Sequence, residues 1–179
     1  SNADAGSANT LFGFQAGALL DAGSNYNTFI GYGVSDAAMD DATYNTAVGY
    51  LALSAFTTGD STVAIGSRCG TVMTTGTQNT LIGDNCASSL ISGSRNICIG
   101  NGALASADGE EGRNMAIGYS SLNSFNHSGT STHNVGLGYY TLAALSTGTY
   151  NIAVGSNALD SLLTGQQNVV IGTNNLATA

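Results

Sequence analysis

A pentapeptide that ends in glycine recurs along the whole chain and constrains the fold more than any other feature. Its clearest copy is Asn45-Thr46-Ala47-Val48-Gly49, and copies follow one another at a nearly constant interval with one longer exception. A fixed period of about 20 residues is typical of repeat architectures, in which every unit stacks on its neighbour. We therefore predict a solenoid of about ten coils. Further structural markers of the repeat are Asn79 and Gly83, Asn114 and Gly118, Asn151 and Gly155, and Asn168 and Gly172.

The residues before each repeat glycine predict a short β-strand. The residue directly before the glycine is large and apolar in all ten coils, and the residue three before it is mostly β-branched. Apolar residues at alternate positions indicate a strand with one buried face. We expect that face, with Val48 and Ile99, to look into the coil, so that Ile99→Asp would unfold several coils. The intervening position, such as Ala47, is also apolar, and we expect it to contact a second chain.

The asparagine and the glycine of the repeat are expected to be structural. Asparagine lies four residues before the glycine in nine coils, and Thr62 replaces it in the tenth. Stacked coils would place these amides about 4.8 Å apart, which allows a ladder of hydrogen bonds. The glycine is expected at a sharp corner with a positive φ.

The second half of each coil carries an apolar pair, such as Ala52-Leu53, and then a polar turn. A short helical turn and a second strand are both compatible with this spacing. The predicted fold class is therefore all-β: a parallel β-solenoid of ten coils, each of about 17 to 18 residues, with or without a helical turn in each. Residues 1–3 resemble the remnant of an expression tag, and residues 4–179 form one repeat domain, which we expect to be a piece of a longer fibre protein.

Charge excludes one class of partner, and the lack of a long apolar run excludes another. The chain has three Arg, no Lys and eleven acidic residues, for a net charge of −8. A nucleic-acid-binding domain needs a basic surface that neutralises phosphates. We therefore predict no nucleic-acid partner, and no membrane insertion by this segment, because no apolar run is long enough to span a bilayer.

A thin coil of this length has few apolar side chains to offset the entropy lost on ordering its backbone. Since both faces of the strand are apolar, we expect association along the strand. Cyclic symmetry would keep the repeats of parallel chains in register, and we predict a homotrimer.

The repeat resembles a known family. The sequence Asn-Thr-Ala-Val-Gly-Tyr-x-Ala-Leu, which runs here from Asn45 to Leu53, resembles the head repeats of trimeric autotransporter adhesins, and still more the longer repeats of bacteriophage and algal-virus tail fibres. The resemblance covers residues 9–176, although adhesin heads have shorter repeats. It implies a trimeric left-handed β-roll outside the cell, on a bacterial surface or a virion fibre. Such a segment, which is not an enzyme, attaches to a host or cell surface or to its glycans, or serves as a shaft with no ligand of its own.

Catalytic and metal-binding motifs are absent from the sequence. The acidic pairs Asp40-Asp41 and Glu110-Glu111 lie in coils that are four apart, about 19 Å at one strand spacing each, which is too far for the paired carboxylates of a glycosidase. We expect no enzymatic activity and no cofactor. His127 and His133 lie in an inserted loop; three copies on a three-fold axis would make a metal site, but we expect solvated histidines and no bound metal.

Binding residues are expected among the tyrosines and in two irregular loops, one with Asp40 and Asp41 and one with His127 and His133, since insertions in a solenoid often form its binding face. Exposed rings can stack on sugars or can anchor a subunit interface, and both interpretations stand. An ice-binding surface is disfavoured, because the threonine column ends after Thr80. The tyrosines that directly follow a repeat glycine are Tyr32, Tyr50, Tyr119 and Tyr139, and those that precede a repeat asparagine are Tyr26, Tyr44 and Tyr150.

Cysteine points to no disulfide framework and no zinc site, because there are three residues and no Cys-x-x-Cys pair. Cys69 and Cys86 occupy one repeat position, where other coils have alanine. We expect both to be small buried residues.

Overall fold

The chain forms a parallel β-solenoid. The structure, a computed structural model, describes residues 6–107, 109, 111–126 and 132–175. Within them, ten three-residue strands form one parallel sheet in which each strand pairs with the next one along the chain, so the predicted all-β solenoid is confirmed. The strands are β1 (Thr10–Phe12), β2 (Thr28–Ile30), β3 (Thr46–Val48), β4 (Val63–Ile65), β5 (Thr80–Ile82), β6 (Ile97–Ile99), β7 (Met115–Ile117), β8 (Val135–Leu137), β9 (Ile152–Val154) and β10 (Val169–Ile171).

Equivalent residues of successive coils form columns along the sheet. In β3 and β4, for example, Ala47 lies opposite Ala64. The register also holds across the longest coil, where Met115 of β7 pairs with Val135 of β8. The extra residues of that coil therefore leave the strands in place, as expected of an insertion in a solenoid.

The strand buries the face opposite to the one that the sequence pattern predicted. The middle residue Ala47 is fully buried, whereas Val48 and its equivalent Ile99, which both belong to the third column, are only half-buried. The expectation that Val48 and Ile99 look into the coil, and that Ala47 contacts a second chain, is therefore wrong. The physical reason is volume, because side chains from the turns already fill most of the coil interior.

Three columns from the turns complete the core. They occupy the third, fourth and seventh positions after the repeat glycine, as in Ala52, Leu53 and Phe56, and these residues are fully buried. The columns also compensate for one another in volume. A side chain at the fourth position is missing at Gly70, where a Cβ would lie 3.2 Å from Leu81 of the next strand. A small residue in one column thus leaves room for a large side chain of a neighbouring coil.

Wherever the structure describes it, the second half of the coil is made of turns and bends, neither the helical turn nor the second strand that the sequence allowed. Leu51 and Leu53 have left-handed φ values of 53° and 51°. The N–H of Leu51 donates to the Tyr32 carbonyl of the preceding coil, and that of Leu53 donates to the Cys69 carbonyl of the following coil. Because the donors alternate between the two neighbours, they cannot form helical bonds within the coil. None of the described residues forms a helix long and apolar enough to cross a membrane.

The asparagine column joins each coil to the next. Asn45 Oδ1 accepts a hydrogen bond from the N–H of Thr62 at 3.0 Å, and Asn45 Nδ2 donates to the Gly59 carbonyl at 2.9 Å. These amides are buried, so each satisfied bond also avoids a desolvation penalty. The N–H to Oδ1 bond recurs from Asn96 to Asn79, from Asn134 to Asn114 and from Asn168 to Asn151.

The repeat glycines form a corner that no other residue fits. Gly49 has a φ of 143°, and a Cβ added there would overlap the carbonyl oxygen of Gly66 in the next coil. Backbone therefore packs directly on backbone at this corner. The same geometry holds at Gly83, Gly118 and Gly155, with φ values of 139°, 132° and 122°, whereas Gly172 shares the φ, at 132°, but lies against the Asn175 side chain.

Candidate functional site

The outer side of the sheet is an exposed apolar surface, which we call the sheet face. It consists of the first and third residues of β1 to β10, since the middle residues are turned inward. Ile65 and Leu137, for example, are 40% and 41% exposed. Strands about 4.8 Å apart give ten strands a length of about 43 Å. The sheet face is thus a long, regular strip whose third column is apolar throughout and whose first column has threonine in β1, β2, β3 and β5.

Stacked tyrosines line the long edges of the sheet face. On one edge the ring of Tyr32 lies between those of Phe14 and Tyr50, with centroids 5.2 and 5.6 Å away. The Arg68 guanidinium lies 5.7 Å from the Tyr50 ring centroid and extends this stack. On the other edge, Tyr26 and Tyr44 stack at 5.0 Å. The rings are about half exposed, yet the faces of Tyr32 and Tyr50 are already covered. A sugar that stacks on a ring face therefore has little access to them.

The other two tyrosines that directly follow a repeat glycine belong to a second aromatic cluster. Tyr119 and Tyr139 stack at 5.4 Å. Tyr140 contacts both in T-shaped geometry, with centroids 5.4 Å from Tyr119 and 4.5 Å from Tyr139. Within the described residues, Tyr140 is the one tyrosine on which no parallel ring stacks. Tyr140 was not among the residues expected from the sequence, although its place beside Tyr139, at a position that is polar or glycine in most coils, was a usable signal.

Tyr140 borders a groove of about 630 Å³, which we call the Tyr140 groove. Its floor comes from Ala143 and Ala144 of the same coil as Tyr140. Polar side chains from the two neighbouring coils form its sides. A concave surface of this volume with apolar and polar groups side by side is typical of small-molecule sites. The polar residues are Ser120, Asn123 and Ser124 of the preceding coil, and Asn157 and Asp160 of the following coil.

The structure brings Asp40 and Asp41 together with Asp21 of the preceding coil. Their carboxylate oxygens lie within 4.8 Å of one another. Asp21 Oδ1 accepts hydrogen bonds from the Ser24 hydroxyl at 2.6 Å and from the Asp41 N–H at 3.3 Å. The Ser24 hydroxyl bond, ahead of the backbone donors, lowers the pKa of Asp21 below its usual 3.8. These hydrogen bonds within the chain are sufficient to explain why the turn at Asp21 brings the three carboxylates together.

His133 lies in the column that precedes the asparagines. Its ring stacks on Tyr150 with centroids 4.9 Å apart, so it continues an aromatic edge of the sheet face. His127 and Glu110 lie outside the described residues. Glu111 is fully buried, and its backbone carbonyl accepts a hydrogen bond from Asn96 Nδ2 at 2.8 Å. Asp40 and Asp41 lie in a different coil from His133, and the described residues of the two predicted loops do not form one site.

The three cysteines are free and fully buried in the core, as expected for Cys69 and Cys86. Cys86 Sγ donates to the Cys98 carbonyl at 3.1 Å. Hydrogen bonding to Cys86, followed by burial, raises the pKa of the Cys69 and Cys98 thiols far above the ordinary value. The same hydrogen bonds lower the pKa of Cys86 to about 5. The neutral thiols of Cys69 and Cys98 pack as small apolar side chains.

Comparisons with models of protein families, with curated proteins and with solved structures find no match to this chain.

Proposed function

We propose that this chain is a segment of a trimeric fibre that attaches to a host or cell surface through surface glycans. The fibre stands outside the cell, on a bacterial surface or a virion, and it is not an enzyme. The observation that carries this proposal is the exposed apolar sheet face. The resemblance of the repeat to adhesin heads and tail fibres supports the same function.

Parallel sheets are almost always covered on both faces, because crossover segments or other elements pack against them. Here the coil interior covers one face, while Ile65, Leu137 and their equivalents leave the other one exposed. The three residues of each strand make the sheet face about 10 Å wide, at about 3.3 Å per residue. A strip of about 43 by 10 Å supplies roughly half of the 800 Å² that each partner contributes to a standard interface, and the aromatic edges add to it.

Copies of the same chain fit this surface best. Every column of the sheet face repeats at one strand spacing, so a parallel copy meets equivalent residues along the full length. Cyclic symmetry satisfies all copies at once and closes the assembly. The aromatic edges, with ring edges and hydroxyls of Tyr32 and Tyr50 exposed, then lie where neighbouring subunits meet, and tyrosine is enriched at such places.

A shaft without a ligand of its own is the second candidate function. It is favoured by the continuous stack from Phe14 through Tyr32 and Tyr50 to Arg68, because these rings already use their faces within the chain. A shaft shares the assembly with the first candidate and differs only in having no glycan site.

Light scattering after size-exclusion chromatography tests the assembly. We expect a mass three times the 17.9 kDa of the chain. Ile65→Asp places a charge on the sheet face and should reduce the mass to that of one chain. Thr58→Asp adds the same charge at an exposed turn and should leave the trimer intact. A folded single chain at micromolar concentration for the unmodified protein would contradict the proposal.

A further inference from the structure

We infer that the Tyr140 groove is a binding site for uncharged saccharides. This inference rests on the proposed function, because it names the site and the class of glycan through which the fibre attaches. It starts from the way in which three successive coils build one concave surface.

The groove exists because one coil has small side chains between two polar neighbours. Ala143 and Ala144 follow Tyr140 in the eighth coil and form a low apolar floor. The equivalent positions are Asn123 and Ser124 in the seventh coil, and Asp160 at the first of them in the ninth coil. Since the columns are in register, these polar side chains stand on the two sides of the floor.

The aromatic wall is held in place by its neighbours. The T-shaped contacts with Tyr119 and Tyr139 fix the ring of Tyr140 without stacking a parallel ring on it. The left-handed backbone at Tyr140, with a φ of 52°, turns the side chain away from the column of Tyr139. A fixed tyrosine next to an apolar floor suits the C–H face of a pyranose ring, and little entropy is lost there on binding.

The polar side chains fit hydroxyl groups. Asn123 uses Nδ2 to donate to the Gly102 carbonyl at 3.0 Å, and Asn157 uses Nδ2 to donate to Asn174 Oδ1 at 2.9 Å. Both bonds leave the amide oxygen of each residue as an acceptor and hold the amide in a fixed orientation. The Ser124 hydroxyl both donates and accepts, so the groove offers the mixture of partners that sugar hydroxyls need.

Charge selects among saccharides. Among the described residues that line it, the groove has Asp160 and no cationic side chain. A carboxylate or sulfate on a sugar would lose water beside a like charge without gaining a partner. Neutral saccharides therefore fit, and sialylated or sulfated ones do not.

The site remains available in the proposed trimer. The groove residues belong to the turns, at the second, fifth and sixth positions after the repeat glycine, whereas the sheet face belongs to the strands. Association through the sheet face does not require any groove residue.

Saturation-transfer NMR and titration calorimetry on the assembled chain test the inference. The probes are the neutral sugars lactose, cellobiose and N,N′-diacetylchitobiose, with sialyllactose as the charged counterpart of lactose. We expect at least one neutral probe to bind with a Kd of about 1 mM, which corresponds to about −4 kcal/mol. Sialyllactose should bind at least tenfold more weakly. If no neutral probe binds at several times that concentration, or if sialyllactose binds best, the inference is overturned.

Variants locate the binding. Tyr140→Asn suits the left-handed backbone, because the same column holds Asn85, Asn157 and Asn174 with similar φ values. It should abolish binding, while Tyr44→Asn, in the edge column of another coil, should not. Asp160→Asn should keep neutral binding and weaken the discrimination against sialyllactose. Unchanged binding by Tyr140→Asn overturns the inference.

A trimer by light scattering with no sugar binding would refute this inference alone, whereas a single chain that binds sugar through Tyr140 would refute the fibre assembly alone.

Discussion

Thr62 donates a hydrogen bond to Asn45 but is a poor acceptor for Asn79, the next residue of the asparagine column. Its N–H donates to Asn45 Oδ1 at 3.0 Å, as elsewhere in the column. Its own hydroxyl then lies 3.4 Å from both the Asn79 N–H nitrogen and the Gly76 carbonyl oxygen. The next hydrogen bond between two asparagines of the column, from the Asn96 N–H to Asn79 Oδ1, has a length of 2.9 Å. The column is therefore weakest at its one threonine.

Thr62→Asn should stabilise the chain. Asparagine would supply Oδ1 to the Asn79 N–H and Nδ2 to the Gly76 carbonyl, and these bonds should add about 1 kcal/mol each. We expect the melting temperature to rise by about 2 to 4 °C per kcal/mol for a chain of this size. The reverse change, Asn45→Thr, should lower it. An unchanged or lower melting temperature for Thr62→Asn would mean that these longer contacts are already fully effective.

Gly83→Ala should strongly destabilise the stack. Gly83 has a φ of 139°, and an added Cβ would overlap the Gly100 carbonyl oxygen. Backbone strain and forced separation of two coils together should cost about 2 to 5 kcal/mol. Gly102→Ala is the matched control, since its φ is 64° and the nearest atoms to a Cβ lie 3.4 Å away. It should cost only about 1 kcal/mol, as measured by thermal unfolding. Equal losses in the two variants would refute the close packing of glycine on glycine.

Aspartate at two adjacent strand positions should have opposite effects. Cys98→Asp buries a carboxylate in the core and should unfold the coils around β6, because an unpaired buried charge costs several kcal/mol. Ile99→Asp places the charge on the sheet face and should leave the β-rich circular dichroism spectrum unchanged. Cys98→Ser controls for loss of the thiol. If Ile99→Asp were the more disruptive change to the fold, the inward orientation of the middle residue would be wrong.

The pKa of Asp21 should depend on the Ser24 hydroxyl. A carboxyl whose pKa is lower in the folded state than in the unfolded state stabilises the fold above its ordinary value of 3.8, and this contribution disappears as the pH falls through the lower folded value. Ser24→Ala removes the largest cause, so the pKa of Asp21 should rise in an NMR titration. Ser94→Ala, in a turn of a distant coil, should leave it unchanged. A pKa that does not move would assign the shift to the backbone donors instead.

The repeat and the strands were predictable because both depend on the spacing of glycine and asparagine. Which face of the strand is buried was not predictable in this way. Val48 is larger than Ala47, and size alone favours burying the valine. The interior is small because Leu53, Phe56 and their equivalents enter it from left-handed turns, and no local propensity indicates that leucine adopts such a conformation.

The candidate sites were predictable only in part. The period places Tyr32 and Tyr50 one repeat apart in the same column, which was enough to predict that they are neighbours. Their mutual stacking, which closes the ring faces to a sugar, needs the strand spacing and the ring orientations. The Tyr140 groove depends on what three coils place side by side, and the small size of Ala143 and Ala144 carries no signal by itself.

The left-handed residues make each coil dependent on its neighbours. At least 26 described residues other than glycine have a positive φ, and this conformation costs about 1 to 2 kcal/mol per residue. Bonds to the coils above and below, such as those of Leu51 and Leu53, offset that cost, and an isolated coil has no such bonds. Each coil thus fixes the backbone conformation of the next one, and the number of coils sets the length of the stack. Removing one whole coil should shorten the stack by about 4.8 Å and leave every column continuous, whereas removing half a coil would break all of them.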